Sequence, residues 1–423
     1  MAHAHGHVAD QTSARHFDEA ALMTRPTAEL GRLGTRAMGI AVVGVAASAI
    51  GYFTLEHHDA FWQSYLIGYI FWIGITLGSL GILMVQHLSG GAWTMVSRRL
   101  LEASTRTLPL MALLFLPIWF NRATLYPWVS PDPNGAHYEA IQHAIHLKGA
   151  YLNEGFFGIR ALIYFAIWAV LIFFLNKWSK EQDEQPAQLP GPLDRRSRML
   201  SGPGLVLFVG TVTFMSIDWV MSLDPHWYST IFGVLTLGGQ GLSTMAFTIL
   251  MMSLLVKFQP MSQVAGAEQF HDHGKLMFAF VMLWAYFSVS QLLIIWSANL
   301  PEEIPFYLAR LNGPWYPVSV ALLFGQFALP FLLLLSQSFK RNPDIVKWIA
   351  LLILVMRIVD ITWTIGPVES FHREGSSISW LDFAVAIGIG GLWLMLFFRN
   401  LSGRALLPAR DPYFKEAIAH GRH

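Results

Sequence analysis

The chain has 423 residues, of which 54% are hydrophobic and 13% charged, with a mean hydropathy of +0.45 and a formal net charge of +1. That balance excludes an ordinary soluble domain, and it excludes a nucleic-acid binder, which would need a concentrated basic face. Cysteine is absent, so disulfides, Cys-ligated iron–sulfur clusters and covalently attached c-type haem are excluded on this chain.

Residues 1–36 read as a polar N-terminal tail without a cleavable signal sequence. Its His3, His5 and His7 form either a metal-binding run or part of a mobile cytoplasmic tail, and no Cys or acidic cluster completes a metal site. Ten apolar stretches then follow, at 37–55, 65–85, 108–120, 157–175, 205–221, 231–256, 276–297, 318–337, 348–366 and 383–398. Most have the roughly 17–25 residues that a hydrocarbon core of about 30 Å demands. The third, with Pro109 and Pro117, reaches that length only if the amphipathic run 95–107 continues into it. The expected fold is therefore an all-α integral membrane protein with ten transmembrane helices in a domain spanning 37–398, followed by a tail at 399–423.

The basic residues set its orientation. Of 28 Lys and Arg, 22 fall in the tails and even-numbered loops and only 4 in the odd-numbered loops, with Arg160 and Arg357 inside spans. By the positive-inside rule both termini are cytoplasmic, and removing the third span would collapse the asymmetry. The segment 177–198, rich in charge, Pro and Gln, reads as a cytoplasmic connection. The outward loop 121–154 is rich in Trp, Tyr, Pro and His, which suggests order against the membrane surface or a partner.

The sixteen histidines lie in tails and loops on this reading, with only His87 near a helix end, so a haem held between two buried imidazoles is not expected. Ionisable residues inside spans are costly unless paired or hydrated. Arg160 and Asp218 lie near the outer ends of the fourth and fifth spans, and Arg357 and Asp360 sit at i, i+3 halfway along the ninth. Each reads either as an internal ion pair or as a step in a proton relay. A proton path would use Asp360 and Arg357 centrally, Asp218, Arg160 and Asp224 outward, and His87, His271, Asp272 and His273 inward. Gln240, Ser288 and Gln291 would provide hydrogen-bonding steps, although such side chains also make plain interhelical bonds. Asp218 beside Trp219, with Arg160, offers a place for a quinone head. Gly74 and Gly78, and Gly388, Gly390 and Gly391, read as close-packing sites. Asp224, Glu302 and Glu303 read equally as solvated loop residues or docking contacts. No protein metal site is expected.

Two segments point to a family. They are Met215-Ser-Ile-Asp218-Trp-Val-Met-Ser-Leu-Asp224-Pro-His-Trp227-Tyr-Ser-Thr-Ile-Phe-Gly233 and Trp284-Ala-Tyr286-Phe-Ser-Val-Ser290-Gln291-Leu-Leu-Ile-Ile-Trp296-Ser-Ala-Asn299-Leu-Pro301-Glu302-Glu303. With ten spans and cytoplasmic termini, the whole chain resembles the second large quinone-family membrane subunit (ActF) of bacterial alternative complex III, within the NrfD-like family of the polysulfide reductase membrane anchor. The resemblance implies two four-helix bundles, at about 62–221 and 230–366, with the first and last helices peripheral. It implies a subunit of a quinol:cytochrome c or quinol:oxidase oxidoreductase in the bacterial inner membrane. Haem c and iron–sulfur clusters would reside on partners, namely a multihaem cytochrome c, an iron–sulfur protein and a homologous membrane subunit. This chain itself would bind no cofactor other than quinone or quinol. The alternatives are a stand-alone secondary transporter or channel, and a purely structural membrane anchor.

Overall fold

Hydrocarbon offers the peptide backbone no hydrogen-bond partner but itself, so long apolar segments fold as helices. The computed structural model describes residues 22, 25–54, 58–91, 93–131, 133, 138–184, 192–368, 378–411, 413 and 414, and these form helices and turns with no strand. The His3, His5 and His7 run lies outside the described residues.

Nine described helices are long and apolar enough to cross a membrane, which makes this a multi-pass membrane protein. They are α1 (Thr27–Thr54), α2 (Asp59–Ser89), α3 (Arg98–Phe120), α4 (Glu154–Glu184), α5 (Leu193–Leu223), α6 (Phe232–Leu255), α7 (Ala267–Ala298), α8 (Gly313–Leu335) and α10 (Trp380–Ser402). A further helix, α9 (Pro343–Ile365), has comparable length but is not among the nine; it bears Asp344, Lys347, Arg357 and Asp360. The third span forms as expected by continuation, from the pieces Arg98–Thr105 and Leu108–Phe120, with Pro109 at the start of the second. Its first piece is not amphipathic against water, because every one of its residues is buried.

Helices α2 to α5 pack on one another, as do α6 to α9, and the two groups meet where α2 lies against α6. Those two are the interior helices: 89% of the most apolar window of α2 and 72% of that of α6 are buried, against 22% for α1 and α7. Gly78 permits the meeting, since a Cβ there would stand 2.6 Å from the Gln240 carbonyl oxygen, and Thr244 bonds across to the Ile75 carbonyl at 3.3 Å.

The two helices expected at the periphery differ from each other. α1 packs chiefly on α10, where a Cβ on Gly44 would stand 2.5 Å from Gly388 Cα. α10 is wedged between α1 and α2, with Trp393 fully buried and donating to Thr76 at 2.9 Å. Of these two, α1 presents most of its surface outward, whereas α10 uses both faces.

Candidate functional site

Two buried Arg–Asp pairs, Arg160–Asp218 in the first helix group and Arg357–Asp360 in the second, are built differently. In the first group, Asp218 near the end of α5 receives Arg160 of α4 through two parallel bonds, Nε to Oδ2 at 2.8 Å and Nη2 to Oδ1 at 2.9 Å. The Tyr164 hydroxyl donates to Oδ2 at 2.7 Å, and Arg160 Nη1 donates to the Tyr151 carbonyl at 2.8 Å. The guanidinium also lies 3.9 Å from the Tyr151 ring centroid and 4.4 Å from that of Phe156. Both carboxylate oxygens are thus engaged by a fork that matches their geometry.

Trp219 is fully buried among the rings of Phe115 (4.6 Å between centroids), Phe165 (5.8 Å) and Tyr69 (5.9 Å). The trio Arg160, Asp218 and Trp219, expected to cradle a quinone head, therefore encloses no groove. The aromatic side chains that would wall such a groove have filled it. An open cleft of about 480 Å³ does lie close by, beyond Ser222, lined by Tyr151, Lys148, Asp224 and Trp227 among others, but none of the three residues lines it. Lys148 Nζ donates to the Pro225 carbonyl at 2.6 Å, and burial pushes its pKa down. Asp224 Oδ1 accepts from the His226 and Trp227 amides at 3.1 and 3.4 Å, so it closes the turn between α5 and α6 rather than continuing from Asp218.

In the second group, Arg357 and Asp360 sit side by side on α9, as their i, i+3 spacing predicts. The guanidinium Nη1 and the Trp284 indole (3.1 Å) both donate to Oδ2, and no described residue donates to Oδ1. Arg357 Nε reaches Ser243 Oγ on α6 at 3.3 Å. Room for the guanidinium comes from Gly239, where a Cβ would stand 2.7 Å from Arg357 Cζ. Gly238, Gly239 and Gly241 do not break α6, which runs unbroken through them. Gln240 is also buried, and its Oε1 has no partner among the described residues.

Ser288 and Gln291 lie further along α7 on the stripe that contains Trp284. Sequence reasoning missed Gln326, whose amide nitrogen and oxygen are both buried and have no partner among the described residues. It sits in a π-helical stretch of α8, Leu323–Ala328, packed against α7 and α9. Such local widening of a helix often marks a functional site. An amide in the middle of the apolar run of the eighth span was the available signal.

The residues assigned to an inward step do not assemble with Asp360. His271 and His273 are buried in the first turns of α7, not in a loop as expected; in the neutral ring, His273 Nδ1 donates to the Gln269 carbonyl (2.7 Å) and Nε2 accepts from Ser97 Oγ (2.6 Å). Asp272 pairs at the surface with Lys275 at 3.1 Å. His87 is half-buried in the last turn of α2. The same end of the molecule holds an ion network that reads in sequence as ordinary basic flanks. Glu102 binds Arg99 (2.6 Å) and Arg98 (3.1 Å) and accepts from Ser179 (2.7 Å), while Arg98 binds Asp411 (2.5 Å) and Arg99 binds Asp183. This network ties α3 and α4 to the segment after α10. The signal was the lone acid Glu102 among three arginines, Arg98, Arg99 and Arg106.

Among the described residues no group of three or more His, Cys, Asp or Glu could hold a metal ion. No protein-family model matches the sequence, and no curated protein is significantly similar to it.

Proposed function

We propose that this chain is a membrane subunit of a quinol-oxidising complex in the bacterial inner membrane, delivering electrons to cytochrome c or an oxidase, with ten spans and both termini cytoplasmic. In this reading its second helix group exchanges protons through Asp360, while redox cofactors belong to a multihaem cytochrome, an iron–sulfur protein and a homologous membrane subunit. The two motif segments and the 22-to-4 division of basic residues support the family and the orientation.

The observation that carries the proton role is the half-satisfied Asp360 carboxylate. A buried acid whose second oxygen has no donor among the described residues can take up and release a proton without dismantling its hydrogen bonds, and titratable groups at this depth mark proton routes. The saturated Asp218 pair supports a different role for the first group, that of a fixed clamp. A quinone head in this chain would have to use the cleft beside Asp224 and Lys148 rather than the filled space around Trp219.

Affinity purification in mild detergent tests the assembly. Co-purification with haem-bearing and iron–sulfur subunits is expected, and a colourless, solitary protein that moves a solute would defeat the reading. Within the complex, Asp360→Asn is expected to lower the protons moved per electron while leaving the assembly intact. An unchanged ratio would reduce Asp360 to a structural residue.

A further inference from the structure

The inward stripe of α7 runs through Met277, Val281, Trp284, Ser288, Gln291 and Ile295 at helical spacing. Five of these six are buried and Ser288 is half-buried. A glutamine in such a stripe costs free energy unless something hydrogen-bonds it. Gln291 opens on a cavity of about 60 Å³, whose other polar lining comes from Tyr228, Ser229, Thr230 and the half-buried Glu303. That space exceeds what one water needs, and the lining offers the several polar partners that hold an ordered water. The neighbouring Glu302 is exposed and does not line it.

The cavity lies in register with the central acid. Trp284, which donates to Asp360, precedes Gln291 by seven residues on the same face, roughly 10 Å along the helix. Ser288 stands between them.

We propose that this cavity is the hydrated mouth of a proton route from Asp360 to the surface that is poor in basic residues, with Ser288 and Gln291 ordering the water and Glu303 accepting the proton. The inference rests on reading Asp360 as the proton-exchanging group, and it names where that proton leaves. In the step, the Asp360 O–H bond breaks, the proton passes along hydrogen-bonded water, and an O–H bond forms on the Glu303 carboxylate. Arg357 neutralises the aspartate left behind, and no electron moves.

The absence of cysteine makes the test direct. Single substitutions Gln291→Cys, Ser288→Cys and Glu303→Cys are placed in the full chain, with Val289→Cys on the exposed apolar face as control. Native membranes are then treated with methanethiosulfonate ethylammonium, which reacts with a hydrated thiolate. Labelling at 291 and 288 on the order of tenfold faster than at 289 is expected, with 303 the fastest. Rates at 291 and 288 no faster than at 289 overturn the route. A second measurement avoids the buried positions: Glu303→Gln in the purified complex is expected to lower the protons released per electron, and an unchanged ratio also overturns the route. A normal Glu303→Gln variant beside a defective Asp360→Asn variant leaves the reading of Asp360 intact, whereas normal behaviour of both removes it.

Discussion

Asp218 and Asp360, both buried, share a partner type and differ in saturation. Asp218 has donors on both oxygens and a guanidinium aligned in parallel, so its charge is held by geometry. Among the described residues, Asp360 is bonded at one oxygen only, by a neighbour on its own helix and an indole from α7. The difference teaches that depth alone does not fix how an ionisable residue is satisfied. In the proposed reading, a clamp has a fixed partner for every lone pair and an exchanging group does not.

Substitutions can break this contrast, and the largest effect is expected at the clamp. Asp218→Leu strands the Arg160 charge in a buried setting, and a loss of about 3–5 kcal/mol is expected, read as a lowered melting midpoint and a lower yield of folded protein from membranes. Melting within a degree of the wild type would show that the fork contributes nothing. Next is Gly239→Ala, whose methyl group would meet the Arg357 guanidinium; overpacking of this kind costs about 1–3 kcal/mol, and the loss should largely vanish when Arg357→Ala is made in the same chain. Additive losses in the double variant would mean that Gly239 does not serve the guanidinium.

Asp360→Asn sharpens the comparison from the other side. The new amide keeps an oxygen for the Arg357 and Trp284 donors, so its melting midpoint should fall less than that of Asp218→Asn, which loses half of a bidentate fork; the reverse order would contradict the assigned roles. The smallest effect is expected from Tyr164→Phe, which removes one of three donors to Asp218 and should cost about 1 kcal/mol in the same assay.

Several parts of the architecture were legible in the residues. Apolar runs located the helices because a membrane forces the backbone to satisfy itself locally, and the third span is stitched from 98–120 as the preceding run continues into it. Gly78 and Gly388 were legible as contact points because only a missing side chain lets two backbones approach so closely. The i, i+3 spacing of Arg357 and Asp360 likewise made their pairing local. Trp219 was legible as an aromatic near an acid, but the rings that fill the space around it come from three other helices.

From the amino-acid order alone came the membrane setting, the helices and the residues whose burial would need explanation. Only the tertiary structure decided which of those residues were fully satisfied. It closed the quinone trio, made Arg98, Arg99 and Glu102 into a buried network with Asp411, and left Asp360 Oδ1, Gln240 Oε1 and both amide atoms of Gln326 without a partner among the described residues. The reason is one of range. Helix formation and i, i+3 pairing are set within a few residues, whereas hydrogen-bond saturation in a bundle depends on side chains brought together from positions such as 160 and 218, or 98 and 411, by the packing of whole helices.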